Sequence, residues 1–259
     1  MNNYQQRKFE KRKRDENPYE SRRNILNDTY LHDVYTSLAR TLLEAIKWGN
    51  DDVRTVVELG SAGGISKTLY PTLITSDIRE CDGVDRSIDA MNLPFDDNSV
   101  DGIIAKDVLH HLPNPIEHLS EVIRVLRPGA MIAYSEPNWN LLSRLVYRFI
   151  HPEPFEPQQE TWSRESSEPM DANQALAMIL FERDVQMLKK RFPDIEVSLE
   201  SSTYALTFLI SGGVYQRTFI AGRLLQRLAK IETKSPTWMK IFGLNRVIVI
   251  KKVDSGIQP

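Results

Sequence analysis

Cysteine is nearly absent from this sequence of 259 residues, and long apolar runs are missing. The one cysteine, Cys81, excludes an intramolecular disulfide and a cysteine-rich zinc site, which suits a reducing compartment. No run of about 18 apolar residues occurs, so we expect no transmembrane helix. The sequence begins MNNYQQRKFE, which lacks the apolar core of a secretory signal. We therefore expect a cytoplasmic protein.

An excess of basic residues is also missing, because 33 Lys and Arg stand against 35 Asp and Glu, for a net charge of -2. Nucleic-acid binders usually carry such an excess, so we expect no nucleic-acid partner. The length suits one large domain, or one domain with an insertion, and we favour the insertion. Residues 1–17 have mixed charges and few apolar side chains, which predicts a flexible arm before a single domain over residues 18–259.

The stretch from Val56 to Gly64, which reads VVELGSAGG, organises the rest of the chain. Its apolar start predicts a strand, its small residues predict a tight turn, and Ile65 to Tyr70 predicts a short helix. In open α/β sheets, ligands bind beyond the carboxyl ends of strands, where glycine lets the backbone approach them closely. We therefore expect a nucleotide-like cofactor here, although such turns also occur simply to let a helix pack on a strand.

A second apolar stretch, Leu73 to Asp77, predicts a strand that ends in an acid. Asp77 follows the turn by about twenty residues, the spacing at which a carboxylate accepts hydrogen bonds from ribose hydroxyls. Too few residues separate this strand from the next apolar stretch, Val84 to Ile88, for the usual crossover helix, so the third strand should be very short. Asp89 follows as either an adenine-binding acid or a solvated turn residue.

Two more strands are predicted at Val100 to Ala105 and at Met131 to Ser135, with a helix from Pro115 to Leu126 between them. The RPGA turn ends this helix. Residues able to transfer protons follow both strands. They are Asp107, His110 and His111 after the fourth strand and Glu136 after the fifth.

Together, VVELGSAGG, Asp77, DAMNLPF, VLHHL and LRPGA resemble the class I S-adenosylmethionine-dependent methyltransferases, specifically the small-molecule type with a D-A-x-x-L-P-F loop. The resemblance covers residues 53–138. It implies a Rossmann-like three-layer α/β sandwich with a mostly parallel seven-stranded sheet and an antiparallel last strand. An NAD-dependent dehydrogenase shares the glycine turn and the ribose acid but lacks the LPF loop and the RPG turn.

The resemblance also implies contacts with S-adenosylmethionine, position by position. The turn around its methionine and ribose portions would consist of Glu58, Gly60, Ser61, Ala62 and Gly64. The remaining contacts would be Asp77 at the ribose hydroxyls, Asp89, Ala90 and Met91 at the adenine, and Ala105 and Lys106 at the amino-acid end. Ala62 stands where the family more often has glycine, and its methyl group is tolerated if the residue keeps a negative φ.

Methyl transfer from a sulfonium is an in-line displacement, which needs aligned reactants and exclusion of water. A hydroxyl acceptor also benefits from a general base at the carboxyl edge of strands four or five. The family pattern pairs a histidine after strand four with a carboxylate after strand five, which indicates His110 or His111 with Glu136. An HH pair before a helix also serves packing and capping, and Asp107 and His151 are further candidates. We predict no metal.

The half of the chain beyond the fifth strand is predicted as a helix and a lid loop over residues 137–170, because the prolines of HPEPFEP break the helical pattern. A helix over residues 172–191 and strands at Ile195 to Leu199 and Arg246 to Ile250 complete the sheet. His118 falls in a helical pattern and is expected at the surface.

Residues 18–50 are predicted as helices before the cofactor-binding half at 53–136. Four of their residues are near enough in sequence to cap the turn, or else lie on the helix surface, namely Tyr19, Arg22, Arg23 and Tyr30. Residues 203–245 form a helical insertion. It is a pocket wall or homodimer face, a membrane-surface patch over 204–242, or extra core.

The sequence thus predicts methyl transfer from S-adenosylmethionine to a small-molecule or glycan-type acceptor, as in natural product or glycan biosynthesis, with oxygen favoured. S-adenosylhomocysteine would be the second product. N- or C-methylation of a small metabolite, a cofactor-binding protein without catalysis, and an NAD-dependent oxidoreductase are the alternatives.

Overall fold

The computed structural model describes residues 18–48, 54–151, 153–164, 171–203, 206–213 and 222–253. The predicted arm lies outside the described residues, as do parts of the predicted lid and insertion. Among the helices that the structure describes, none is long and apolar enough to cross a membrane.

Seven strands form one sheet in the order β3-β2-β1-β4-β5-β7-β6. The strands are β1 (Val56–Leu59), β2 (Ile74–Asp77), β3 (Arg86–Ser87), β4 (Val100–Lys106), β5 (Leu126–Pro137), β6 (Ile195–Thr203) and β7 (Asn245–Lys252). The first five pair in parallel, whereas β7 runs antiparallel to both β5 and β6. The predicted mostly parallel sheet with an antiparallel last strand is confirmed. Its two-residue β3 agrees with the short third strand.

Helices flank the sheet, and side chains cap the start of some of them. They are α1 (Pro18–Asn27), α2 (Thr29–Ala45), α3 (Pro115–Val125), α4 (Leu141–Phe149), α5 (Leu176–Met178), α6 (Val185–Arg191), α7 (Leu206–Ser211), α8 (Gly222–Glu232) and α9 (Pro236–Phe242). Asp28 accepts two backbone N–H bonds at the start of α2, and Asn114 and Asn140 cap α3 and α4 in the same way.

Two apolar clusters cover the two faces of the sheet. Side chains alternate along each strand, so Val56 and Ile104 pack with α2 on one face, while Val57 and Ile103 pack on the other with α3 and α5. Burial on both faces explains why the strands read as continuous apolar runs. The predicted three-layer sandwich is therefore confirmed.

The predicted helix over residues 172–191 is wrong in one respect, because it is not continuous. After α5, Ile179–Arg183 form a π-helical turn, and α6 begins only at Val185. Asp184 leaves helical geometry between them, where its carboxylate accepts a hydrogen bond from Trp162 Nε1 at 2.7 Å. A periodicity argument cannot foresee this tertiary contact.

The order of the strands reverses between β1 and β4, because the chain moves outward through β2 and β3 and then crosses back. In such sheets the crevice beyond the carboxyl ends of the strands at this point is the ligand-binding position.

Candidate active site

The carboxyl ends of β1, β2 and β4 carry the residues predicted to contact a cofactor. Pairing of β1 with β4 places Leu59 opposite Ala105, and Asp77 ends the neighbouring β2. Asp77 is 7% exposed, whereas Asp89, beyond β3, is exposed. The predicted turn, ribose and adenine positions therefore share one edge of the sheet.

The turn after β1 is held to β2 by hydrogen bonds. Ser61 donates from both its backbone N and its Oγ to the carbonyl oxygen of Ser76, each at 2.8 Å. Ala62 N donates to Asp77 Oδ2 at 3.1 Å. The negative φ expected for Ala62 is wrong, since its φ is +48°. The bond to Asp77 holds this alanine in the left-handed region, where glycine is usual.

Glycine is required in the turn chiefly by packing. Gly60 and Gly64 have φ values of +64° and +67°, which residues with a side chain rarely adopt. A Cβ at Gly60 would overlap Val108, and one at Gly64 would overlap the carbonyl of Gly83. The two glycines thus let the turn lie close to Val108 and Gly83. A ligand at this turn is indicated by the nearby acids Asp77 and Asp89 and not by the glycines.

Arg22 and Tyr30, two of the four residues expected near the turn, lie in different parts of the structure. Arg22, on α1, donates from Nη1 to the carbonyl oxygen of Gly63 and so covers the turn. Tyr30 instead packs against Leu225 of α8. Only the first of them can act as a cap on the cofactor turn.

Two residues predicted as cofactor contacts, Glu58 and Lys106, form a buried ion pair beneath the turn. Lys106 Nζ lies 2.5 Å from Glu58 Oε1, and Ser66 bridges them. The Ser66 hydroxyl donates to Glu58 at 2.8 Å and accepts from Lys106 at 2.9 Å. Their opposite charges balance each other within the protein, as burial requires.

The loop of Asp89, Ala90 and Met91, which is predicted to contact the adenine, is held by His118, whose expected surface position is wrong. His118 is fully buried on α3, where its Nδ1 donates to the carbonyl oxygen of Ala90 at 2.8 Å. Its Nε2 accepts from the Tyr134 hydroxyl at 2.8 Å, and burial lowers its pKa, so the ring stays neutral. Asp89 Oδ1 accepts from Met91 N at 2.9 Å, which tightens the loop.

His110 and Glu136 form the dyad that the family pattern indicated. His110 lies in a short 3-10 helix, Leu109–His111, directly after β4, and its Nδ1 is 2.6 Å from Glu136 Oε2. The other carboxylate oxygen accepts backbone N–H bonds from Val108 at 3.0 Å and Leu109 at 2.7 Å. Both side chains are buried. Glu136 thus orients the imidazole, with Nδ1 donating and Nε2 left to accept a proton.

Electrostatics favour the protonated form of His110. Burial by itself lowers the pKa of the imidazole. The charge of Glu136 and the hydrogen bond to it, followed by the charges of Glu153 and Asp107, raise it, and the net pKa lies above its ordinary value of 6.5. A base of this kind accepts a proton readily and holds it beside a carboxylate.

Glu153 is a site residue that the sequence reading missed. It is 1% exposed, and its Oε2 lies 3.8 Å from His110 Nε2, on the side away from Glu136. Gln174 donates to this oxygen and fixes it. The signal was present in HPEPFEP, where the acid sits in the predicted lid.

The remaining predicted catalytic residues lie around this dyad. The centroids of the His110 and His111 rings are 4.3 Å apart, and His151 Nδ1 is 3.9 Å from Glu153 Oε2. Asp107 Oδ1 accepts from Asn245 Nδ2 at 2.6 Å. Burial raises the pKa of Asp107 to about 6, so this carboxyl is a weaker acid than usual.

The lid is fastened to the segment that carries the dyad. Asn173 N donates to the carbonyl oxygen of His110 at 3.0 Å, and its side chain binds the backbone of Glu156 at 2.9 and 3.1 Å. Arg164 donates to the carbonyl oxygen of His111 at 2.9 Å. Residues 153–164 of the predicted lid therefore pack over His110, while 152 and 165–170 lie outside the described residues.

One group of ligating atoms in this site meets the geometric requirement of a metal centre. The nitrogens of His110 and His111 and a carboxylate oxygen of Glu153 lie within 4.8 Å of one another. The absence of a metal therefore stays a prediction, which chelation can test.

Residues 71–134 match a family described as Methyltransferase domain. A demethylmenaquinone methyltransferase of Staphylococcus epidermidis is 39% identical over 70 residues, 25% of this chain and 29% of that protein. A phthiotriol/phenolphthiotriol dimycocerosates methyltransferase of Mycobacterium tuberculosis is 36% identical over 91 residues, 30% of this chain and 33% of that protein. The matches therefore span less than two thirds of the length of these curated relatives.

Among solved structures, a SAM dependent methyltransferase from Archaeoglobus fulgidus is 17% identical, with 85% of this chain and 94% of that chain covered and a TM-score of 0.47. We assign the fold from the order of the strands, because this likeness is too distant to support the assignment. The family match includes Asp77, Asp89 and His110. It confirms that this part of the chain resembles a methyltransferase domain, as the sequence predicts.

Proposed function

We propose that this chain is an S-adenosylmethionine-dependent methyltransferase that methylates a hydroxyl group of a small-molecule or glycan-type acceptor. The observation that carries the proposal is the buried dyad of His110 and Glu136 at the sheet edge that also holds the cofactor turn. A dyad of this kind is what removal of a hydroxyl proton needs.

The cofactor position fits a nucleoside with adjacent ribose hydroxyls. Asp77 offers a carboxylate at the end of β2, and Asp89 offers another beyond β3. Bound there, S-adenosylmethionine supplies an electrophilic methyl group and leaves as S-adenosylhomocysteine. Lys106 and Glu58 would act beneath the turn through their mutual pair, which keeps the turn in place.

His110 would remove the acceptor's proton at Nε2. Nδ1 carries its own proton against Glu136, so the free ring nitrogen is the base, and the imidazolium that forms lies beside two carboxylates, those of Glu136 and Glu153. The acceptor oxygen then keeps the electron pair with which it attacks. The lid excludes water, which would otherwise compete as a nucleophile.

Glu153 would bind the acceptor from the lid side. The 3.8 Å between its Oε2 and His110 Nε2 leaves both atoms facing one small region. An acceptor with a second hydroxyl beside the reacting one could donate to Glu153, which is why a glycan-type acceptor suits the site. The two relatives are named for different acceptors, demethylmenaquinone and phthiotriol/phenolphthiotriol dimycocerosates, so we propose neither acceptor for this chain.

The test is a transfer assay with radiolabelled methyl donor against sugar, polyketide and lipid-linked acceptors. We expect His110→Gln and Glu136→Gln to lower the turnover number by about 10²–10⁴, the usual contribution of a general base. Calorimetry should show that both variants still bind S-adenosylmethionine. Turnover unchanged in His110→Gln would favour N- or C-methylation, and donor binding without turnover on any acceptor would favour a protein that has lost catalysis.

Treatment with a chelator distinguishes a general-base role of His110 from a role as a metal ligand. If His110, His111 and Glu153 work without a metal, then treatment with EDTA followed by desalting leaves turnover unchanged. Loss of turnover that returns with added Zn²⁺ or Mn²⁺ would overturn the general-base assignment. A cytoplasmic location, the absence of a nucleic-acid partner, a membrane contact through residues 204–242 and a homodimer remain predictions.

A further inference from the structure

Helix α4 turns an apolar stripe outward. Leu141, Leu145 and Phe149 recur at four-residue spacing and are 77%, 47% and 55% exposed. The opposite face, which includes Val146 and Tyr147, is buried. A surface helix normally keeps polar residues on its outer face, so the outward stripe of α4 needs an explanation.

Helix α4 is locked to the end of α9. Asn138 Nδ2, Asn140 Nδ2 and Ser143 Oγ all donate to the carbonyl oxygen of Gly243, at 2.9, 2.7 and 3.0 Å. The two helices also pack against each other. We define the α4–α9 surface by its exposed apolar members, Leu141, Leu145, Phe149, Ile150, Trp238 and Ile241.

The charge around this surface has one sign. Residues 138–150 and 235–243 contain three basic side chains, Arg144, Arg148 and Lys240, and no acidic one. This contrasts with the net charge of -2 for the whole chain. Helix α8 precedes α9 in the chain and also carries exposed Leu224, Leu228 and Ile231 beside Arg223, Arg227 and Lys230, although it ends in Glu232.

We propose that the α4–α9 surface docks on an anionic phospholipid bilayer. Leucine, phenylalanine and tryptophan side chains would enter the boundary of the headgroups, while Arg148 and Lys240 would contact lipid phosphates. A second copy of the chain is a poorer occupant. In a two-fold dimer this surface would meet itself, and its basic side chains would then face each other.

Helix α4 is also connected to the candidate active site. Helix α4 follows β5, which carries Glu136, and the Tyr147 ring contacts the His151 ring at 5.4 Å at the start of the lid. The proposal rests on the surface alone, so it does not depend on the proposed function. It also moves the expected membrane contact, which was placed in 204–242, to include α4.

The experiment is cosedimentation of the full chain with vesicles. One set is phosphatidylcholine alone, and the other is an equimolar mixture of phosphatidylcholine and phosphatidylglycerol. We expect binding to the mixed vesicles only, weakened by added NaCl. Arg148→Gln should lower the partition coefficient about fivefold, and Phe149→Glu should lower it at least about tenfold.

Met187→Glu is the matched control, because Met187 is 62% exposed on α6 beside Lys189 and Lys190. It should bind vesicles like the native protein. Circular dichroism and urea unfolding confirm that each variant is folded. Three results would overturn the proposal, namely no sedimentation with either vesicle, equal loss in Met187→Glu, or a dimer in ultracentrifugation without lipid that Phe149→Glu dissociates.

Discussion

Replacing Lys106 with methionine tests whether the buried ion pair stabilises the cofactor turn. Methionine keeps an extended apolar side chain but lacks the ammonium that lies 2.5 Å from Glu58 Oε1. The side chain of Glu58 is fully buried and that of Lys106 is 5% exposed, so the carboxylate would lose its partner where water cannot replace it. Removal of one member of a buried pair typically costs about 3–5 kcal/mol. We expect the lower end, because Ser66 still donates to Glu58.

The assay is equilibrium unfolding in urea, followed by circular dichroism at neutral pH. The matched control is the double variant Glu58→Gln, Lys106→Met, which removes both charges and should recover a large part of the lost stability. A single variant that loses less than about 1 kcal/mol would contradict the reasoning, since that loss is typical of an exposed pair. A double variant no more stable than the single one would contradict it equally.

Three further perturbations test other parts of the site. Tyr134→Phe leaves the buried Nε2 of His118 without its donor, so urea unfolding should show a loss of about 1–3 kcal/mol, and an unchanged value would refute that bond. Ala62→Gly relieves an alanine at φ +48°, and we expect a gain of up to about 1 kcal/mol, whereas a clear loss would show that the turn is unstrained. The methyl-transfer rate should rise with pH through an apparent pKa above 6.5, because only the neutral His110 ring accepts a proton. Burial lowers the pKa of His110, but Glu136 and the other carboxylates raise it by more. A rate that falls over this range, or the same profile in His110→Gln, would contradict the assignment.

The sheet could be predicted from the sequence because its strands are buried on both faces. Val56 and Val57 are apolar although they point to opposite sides, so the strand reads as a continuous run. The few residues between Asp77 and Val84 also excluded a crossover helix, and β3 is accordingly only two residues long.

Contacts made by the lid, and contacts that depend on how a helix lies on the sheet, could not be predicted from apolar runs or residue spacing. Glu153 approaches His110 only because the lid folds back over β4, and no spacing rule links the two residues. His118 fits a helical period equally well at the surface or in the core, and its buried bonds depend on where α3 meets Tyr134. The φ of Ala62 is likewise set by a bond from the next strand.

The relation between Glu58 and Lys106 shows a further limit. The resemblance implies that Glu58 contacts the methionine and ribose portions of the cofactor and that Lys106 contacts its amino-acid end. The structure pairs β1 with β4, and the two side chains then meet each other. Their contribution to cofactor binding is therefore expected to be indirect, through the position of the turn.

The most direct measurement is calorimetric titration of the full chain with S-adenosylmethionine and, separately, with NAD. We expect saturable binding of S-adenosylmethionine at one site per chain and no tight binding of NAD. Asp77→Ala should weaken the first by about 10- to 150-fold, as expected for losing hydrogen bonds to a charged group, while His110→Gln should leave it intact. Tight NAD binding without S-adenosylmethionine binding, or an Asp77→Ala variant with native affinity, would contradict the central claim.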